Sequence, residues 1–311
     1  MPLGTPSSGG EIKERHQVQV LTTTAGGLVT GRNAPVSAAA EGRILNVRHY
    51  RSTSPPAPYA DDYYGLTFEF SCEVTARFDH LRTASEKLRA AAGSRISNTF
   101  EKPERSTRFA AGEVIGHTDG NPPAPASEPR TFAFDYALYN ATHENSFVNL
   151  DRYRQNRHLH LSLRAVCGGE YYSGSLRAQF NTALGYGNVS AGGDCRSASR
   201  DVAGALAGSW FRSGSAADVD GWRLAIATEV EGAVRLAIHP FSAFFFTPVR
   251  TTGVVNIDPA LARGTTPYCY TDNATEFWFQ LSSDGLRLSM LQRAGRCLGP
   301  APTTYMVQWE R

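Results

Sequence analysis

No apolar run in the chain approaches the roughly 20 residues that cross a bilayer as a helix. The longest, AFFF at 243–246, is strand-sized. The opening segment, MPLGTPSSGGEIKERHQ, has no apolar core of the kind a signal peptide carries, so the expectation is a mature or processed form if the protein is exported. Lysine is nearly missing: of 31 basic residues only Lys13, Lys87 and Lys102 are Lys. Basic residues do not run together with aromatics, which sets nucleic acid aside as a partner. Among the five cysteines there is no C-x-x-C pair, which argues against a structural zinc or thioredoxin-type site. Nor is there a G-x-S-x-G elbow, a phosphate-binding loop or a strand followed by G-x-G-x-x-G. Serine hydrolases and nucleotide enzymes therefore have no visible signature here.

What is present is β-forming. Apolar residues make up 41% and charged residues 19% of 311, the balance of a globular chain long enough for two cores. Gly, Pro, Thr, Tyr and Phe are plentiful, which favours short strands joined by turns. The expected fold class is mainly β: an antiparallel sheet or barrel-like domain, then a smaller antiparallel barrel or sandwich, with few short helices. The expected boundaries are a flexible arm at 1–16, a β domain with a helical extension at 17–190, and an all-β domain at 195–311. The Gly-rich GYGNVSAGGDC at 185–195 serves as the connector. Within the first domain only TASEKLRAAA (83–92) has helical spacing, with Ser85 as cap and Leu88 inward, and 171–184 reads as a second helix. The stretch 144–164 reads as a loop. In the second domain, short alternating runs from GSWF (208–211) to YMVQWER (305–311), GVVNID (253–258) among them, give eight or nine strands. Cys269 and Cys297 flank a strand–turn–strand pattern and are expected to form a disulfide.

The first domain resembles the lysostaphin-type zinc endopeptidases, β-rich peptidoglycan hydrolases. The phrases that carry the likeness are PVSAAAEGRIL (35–45), FDHL (78–81) and AAGEVIGHTDG (110–120), followed by TFAFDYALYN in the place of that family's His-x-His strand. The resemblance implies the fold and, residue by residue, argues against the activity. Where a His and an Asp would hold zinc upstream of Pro-Val stand Thr23 and Gly27, and Thr131 and Ala133 replace the two histidines. His80, in FDHL, is kept, at a position that assists catalysis in that family. The second domain has a lipocalin-like feature: Gly208 and Trp210 on its first strand and Arg311 closing its last, in a pattern where the arginine packs on the tryptophan at the barrel floor.

Two functional readings follow. In the first, the protein is an exported, extracellular or cell-envelope protein without catalysis or cofactor, whose partner is a cell-wall glycan or peptide or another protein surface, with self-association through strand edges. In that reading Arg152, Tyr153, Arg154 and Trp222 are ligand-binding candidates. In the second, it is a zinc- or copper-dependent hydrolase with a rearranged site. His80 and His117 are then the catalytic candidates, and His158, His160 and Asp135 the metal-ligating ones, because imidazole and carboxylate are the donors such metals take. Cys167, following the His158/His160 pair, is a minor nucleophile candidate.

Overall fold

The computed structural model describes residues 14, 16–19, 21–23, 29–31, 33–51, 62–94, 101–118, 133–156, 159–186, 189–192, 195, 197–215, 222–239 and 242–311. Most of the arm expected at 1–16, most of the Pro-rich stretch at 51–62, Gly27, Thr131 and His158 lie outside them. The protein is mainly β, with antiparallel sheets and few helices, as its composition indicates. It divides into two compact units: residues 15–142, and 143–311 together with 1–14. The division falls well ahead of the Gly-rich connector. The reason is covalent and polar: Cys167 and Cys195 form a disulfide across that connector, Ser197 Oγ donates to Asn145 Oδ1, and Val148 N–H donates to Asp201. These bonds tie 143–201 into the unit that carries the second β structure.

In the first unit the strands that position the site are β1 (His16–Gln19), β2 (Pro35–Ser37), β3 (Gly42–Arg51), β4 (Asp62–Glu69), β5 (Val74–Leu81), β6 (Val114–His117) and β7 (Ala133–Asn140), with further strands of two or three residues between them. Hydrogen bonding orders the main sheet β1–β7–β5–β4–β3, all antiparallel. Alternation sends Val47, Leu66, Phe68, Ala76, Phe78, Phe134, Tyr136 and Leu138 into the core. Phe78 lies 5.2 Å from Tyr136 and 6.3 Å from Phe134, ring to ring. Helix α1 (Glu86–Ala92) begins where expected: Ser85 Oγ accepts the Leu88 N–H at 3.2 Å, and Leu88 is buried. Ser85 N–H donates to Ile115 O, which seats the helix beside the β2–β6 pair. The glycines of AAGEVIG have separate reasons. Gly112 turns at φ 79°, while a Cβ on Gly116 would stand 3.0 Å from the Thr83 carbonyl oxygen.

The second unit opens with a correction. The stretch expected as a loop at 144–164 contains α2 (Leu150–Gln155) and a 3₁₀ turn at His160–Leu163. Asn149 caps α2 by accepting the Arg152 N–H, and Phe147, Tyr153, Leu159 and Leu163 bury themselves around Phe211. Tertiary packing fixes a helix that short, since sequence periodicity over six residues is too brief to signal one. The expected helix at 171–184 is α3 (Gly174–Ala183).

The barrel strands are β8 (Gly208–Arg212), β9 (Arg223–Thr228), β10 (Val234–Ile238), β11 (Ser242–Phe246), β12 (Tyr268–Thr271), β13 (Thr275–Leu281), β14 (Arg287–Ala294) and β15 (Val307–Glu310). Each pairs with its chain neighbour except across β11/β12, and the last returns to the first, Phe211 opposite Glu310. GVVNID (253–258), expected as a strand, is joined only by isolated parallel bridges, Ile257 with Arg250 and Val255 with Cys269 on β12. The interior is filled by Leu224, Ile226, Leu236, Phe246, Tyr270, Phe277, Phe279, Trp309 and others. At the floor the Arg311 guanidinium lies 3.8 Å from the Trp210 ring centre and donates to the carbonyls of Val202, Leu206 and Ala207. Gly208 is there because a Cβ would stand 2.2 Å from Asp201 Oδ1, and Ser209 N–H donates to that carboxylate at 2.8 Å.

Candidate functional site

The face of the first sheet opposite its core is polar, and one register row explains why. Gln17 on β1 pairs with Asp135 on β7, Asp135 with Asp79 on β5, and Arg48 on β3 with Gly65 on β4. Two carboxylates face each other across neighbouring strands, an arrangement that repels unless cations balance it. Gly65 lets one cation through: a Cβ there would stand 2.8 Å from Arg48 Nε and 2.9 Å from Asp79 Oδ1. The Arg48 guanidinium accordingly crosses β4 and pairs with Asp79 Oδ2, with Arg77 Nη2 at 3.8 Å from the same oxygen.

His80 follows directly and breaks the strand alternation with φ 60°, a conformation unusual for a non-glycine residue. The break is held by its own N–H, which donates to Asp79 Oδ1 at 2.9 Å. The Tyr50 hydroxyl donates to Asp79 Oδ1 at 2.8 Å and lies 3.2 Å from His80 Nδ1. His80 Nε2 faces Asp135 Oδ2 at 3.7 Å, and Tyr63 sets its ring edge-on to the imidazole at 6.1 Å. Asp79 and Asp135 are buried while the His80 side chain is 34% exposed, so the imidazole is the accessible member of the group. Burial, with the Asp79 carboxylate adding to it, holds the Tyr50 phenol proton well above the ordinary range; Tyr50 acts here as a fixed donor.

This arrangement does not fit a catalytic zinc. Such a site takes three protein donors and leaves a fourth position for water. Ala133 is buried and has no donor atom, and Asp79 is already engaged by Arg48. Among the described residues, His80, Asp135 and Asp79 do not form a set of three donors within 4.8 Å of one another. The cluster can instead orient a partly exposed imidazole between the Tyr50 hydroxyl and the Asp135 carboxylate.

The other candidates disperse. His117 ends β6 opposite Pro35, its Nδ1 buried without a hydrogen-bond partner. His160 is exposed on the 3₁₀ turn of the other unit, and His158 lies outside the described residues. Arg152 is buried, stacked over Phe211 at 4.3 Å and bonded to Ser215, and Tyr153 is buried on Phe147. Both are occupied in packing. Arg154 is exposed and pairs with Glu144. Trp222 is half-buried beneath Arg212, and Trp210, Trp278 and Trp309 are buried, so the four indoles form no open platform. Cys167 is taken up in its disulfide, which removes it as a nucleophile; Cys269 and Cys297 are bridged as expected, and Cys72 is free and exposed.

Sequence reading found His80 and Asp135 but passed over Asp79, Tyr50, Arg48 and Gly65. A signal for Asp79 was available, since it adjoins His80 inside FDHL. Arg48 and Tyr50 share a face in NVRHY by simple alternation. The role of Gly65 depends on the pairing of β3 with β4, which no local pattern discloses. Set beside family models, curated proteins and solved structures, the chain matches none of them.

Proposed function

We propose that this is an exported, non-catalytic protein of the cell envelope or cell surface, whose first unit keeps the framework of a zinc peptidoglycan hydrolase and uses its polar face to bind wall peptide or glycan. The carrying observation is the Arg48–Asp79 pair beside His80: a guanidinium already engages the buried carboxylate next to the partly exposed imidazole, so that carboxylate is not free to hold a cation. The partly exposed His80 imidazole, held from behind by Tyr50, Tyr63 and Asp135, supplies a hydrogen-bonding group suited to a polar polymer. Two disulfides fit an oxidising compartment, and among the described residues no helix is long and apolar enough to cross a membrane.

The test is co-sedimentation of the full chain with insoluble cell-wall polymer, alongside assay of soluble fragment release with and without chelator. Binding that falls in His80→Ala, with no fragment release under either condition, is the expected result. Fragment release that the chelator abolishes would replace this reading with that of a metal-dependent hydrolase.

A further inference from the structure

On the outside of the barrel, the chain after β14 folds back and is fastened by the Cys269–Cys297 bridge over Trp278, with Val255, Leu291 and Tyr305 packed against it. Into this largely apolar place Glu276 sends a carboxylate that is almost fully buried. It accepts the Cys297 N–H at 2.5 Å, the Trp278 indole N–H at 3.1 Å and the Arg293 guanidinium. Space was made for it: a Cβ on Gly295 would stand 2.6 Å from the carboxylate. Burying a carboxylate is costly, and a disulfide is neutral, so the bridge itself has no need of the charge. Once the bridge is open the same atoms have a different meaning. The two sulfurs, bonded to each other here, and a carboxylate oxygen lie within 4.8 Å of one another, so that once the bond is broken a small parting of the sulfurs brings three donors around one ion.

We propose that Cys269, Cys297 and Glu276 in their reduced form are a binding site for a divalent cation of the zinc class, so that these residues hold a disulfide under oxidising conditions and a metal under reducing ones. Opening the bridge takes two electrons and two protons from a dithiol, which closes to its own cyclic disulfide and leaves two protein thiols. Each thiol loses its proton as it ligates the cation. Two thiolates and a carboxylate around a divalent ion leave one negative charge, and Arg293, already on the carboxylate, offsets it. The Trp278 and Cys297 N–H groups orient that carboxylate, as outer hydrogen bonds do around metal ligands. Two of the three donors do not depend on the bridge for their position, and the Cys297 N–H bond to Glu276 holds the third nearby. Cys269 and Glu276 lie on the paired strands β12 and β13, where Cys269 faces Trp278 and Thr271 faces Glu276. In an oxidising compartment the bridged form prevails, and the metal form belongs to a chain not yet oxidised.

The test uses the full chain, reduced with dithiothreitol under nitrogen, freed of reductant and titrated with Co²⁺, then with Zn²⁺ as competitor. The expected result is a thiolate-to-cobalt charge-transfer band saturating at one equivalent and bleached by Zn²⁺. It should be absent from Cys269→Ser and Cys297→Ser and retained in Cys167→Ser. Glu276→Gln should weaken binding by about tenfold or more, in the range seen when supporting groups at metal sites are altered. No band in the unaltered protein, a band that survives Cys269→Ser, or unchanged affinity in Glu276→Gln would overturn the proposal. So would loss of the far-UV β signal on reduction, because the site rests on the strand register.

Discussion

At the scale of single residues, the cluster at His80 is a problem of crowding solved by one glycine. Gly65→Ala places a methyl group 2.8 Å from Arg48 Nε and 2.9 Å from Asp79 Oδ1, so the guanidinium must retreat from the buried carboxylate. The expected loss is about 1–3 kcal/mol, as for other overpacked positions, read as a lower urea midpoint. Tyr50→Phe keeps the ring and removes only the donor to Asp79, so a smaller loss of about 1 kcal/mol is expected. A Gly65→Ala variant as stable as the unaltered protein would mean that Arg48 does not cross there. Residues of this sort mark the limit of the sequence. His80 could be picked out because its motif is contiguous. Tyr50 and Arg48 could not, and the meeting of Asp135 with His80 could not be foreseen, because they come together across three strand pairings that a linear pattern leaves open.

At the scale of elements, legibility followed the length of the periodic signal. Helix α1 and the barrel strands were legible because a capping serine and alternating apolar runs are local features. Ser85→Ala should therefore cost about 1 kcal/mol in the stability of the first unit, measurable in the same urea titration. Helix α2 was not legible, since its stability comes from Tyr153 and Phe147 packing on Phe211. The barrel floor joins both kinds of information. Gly208, Trp210 and Arg311 stand out in the sequence, whereas Asp201 has no pattern and appears only as the carboxylate filling the space that Gly208 leaves. Burial raises the Asp201 carboxyl above its ordinary value, and Arg311 opposes the rise. A carboxyl raised in this way costs stability while ionised, and the cost is relieved as pH falls through the raised value towards the ordinary 3.8. Arg311→Ala removes the opposing charge, the bonds to three carbonyls and the packing on Trp210, and should lower the urea midpoint near neutrality. Because the remaining carboxyl can then be protonated, the deficit should narrow as pH falls from neutrality towards the ordinary carboxyl range. A deficit that stays constant on acidification would mean that Asp201 is not the group left uncompensated.

At the scale of the whole molecule, the question is what sets the limits of the barrel unit. Composition points to the Gly-rich connector at 185–195, but contacts place the division after Thr142, and the difference lies in the Cys167–Cys195 bridge, which carries the chain across that connector. A cysteine count leaves pairing open, so the consequence of this bridge for organisation was hidden even though both cysteines were in view. Closing a loop of sequence separation 28 restricts the unfolded chain by about 3–4 kcal/mol in the chain-entropy account. Cys195→Ser should lower the urea midpoint of the second unit accordingly. A protease cut inside the connector gives a sharper readout. Both cysteines flank the cut, so the two pieces should run as one band without reductant and as two bands with it. Separation of the pieces without reductant would show that Cys167 and Cys195 are not bridged in the protein as made, and the division after Thr142 would then have to rest on the Asn145 and Asp201 hydrogen bonds and the packing around Phe211.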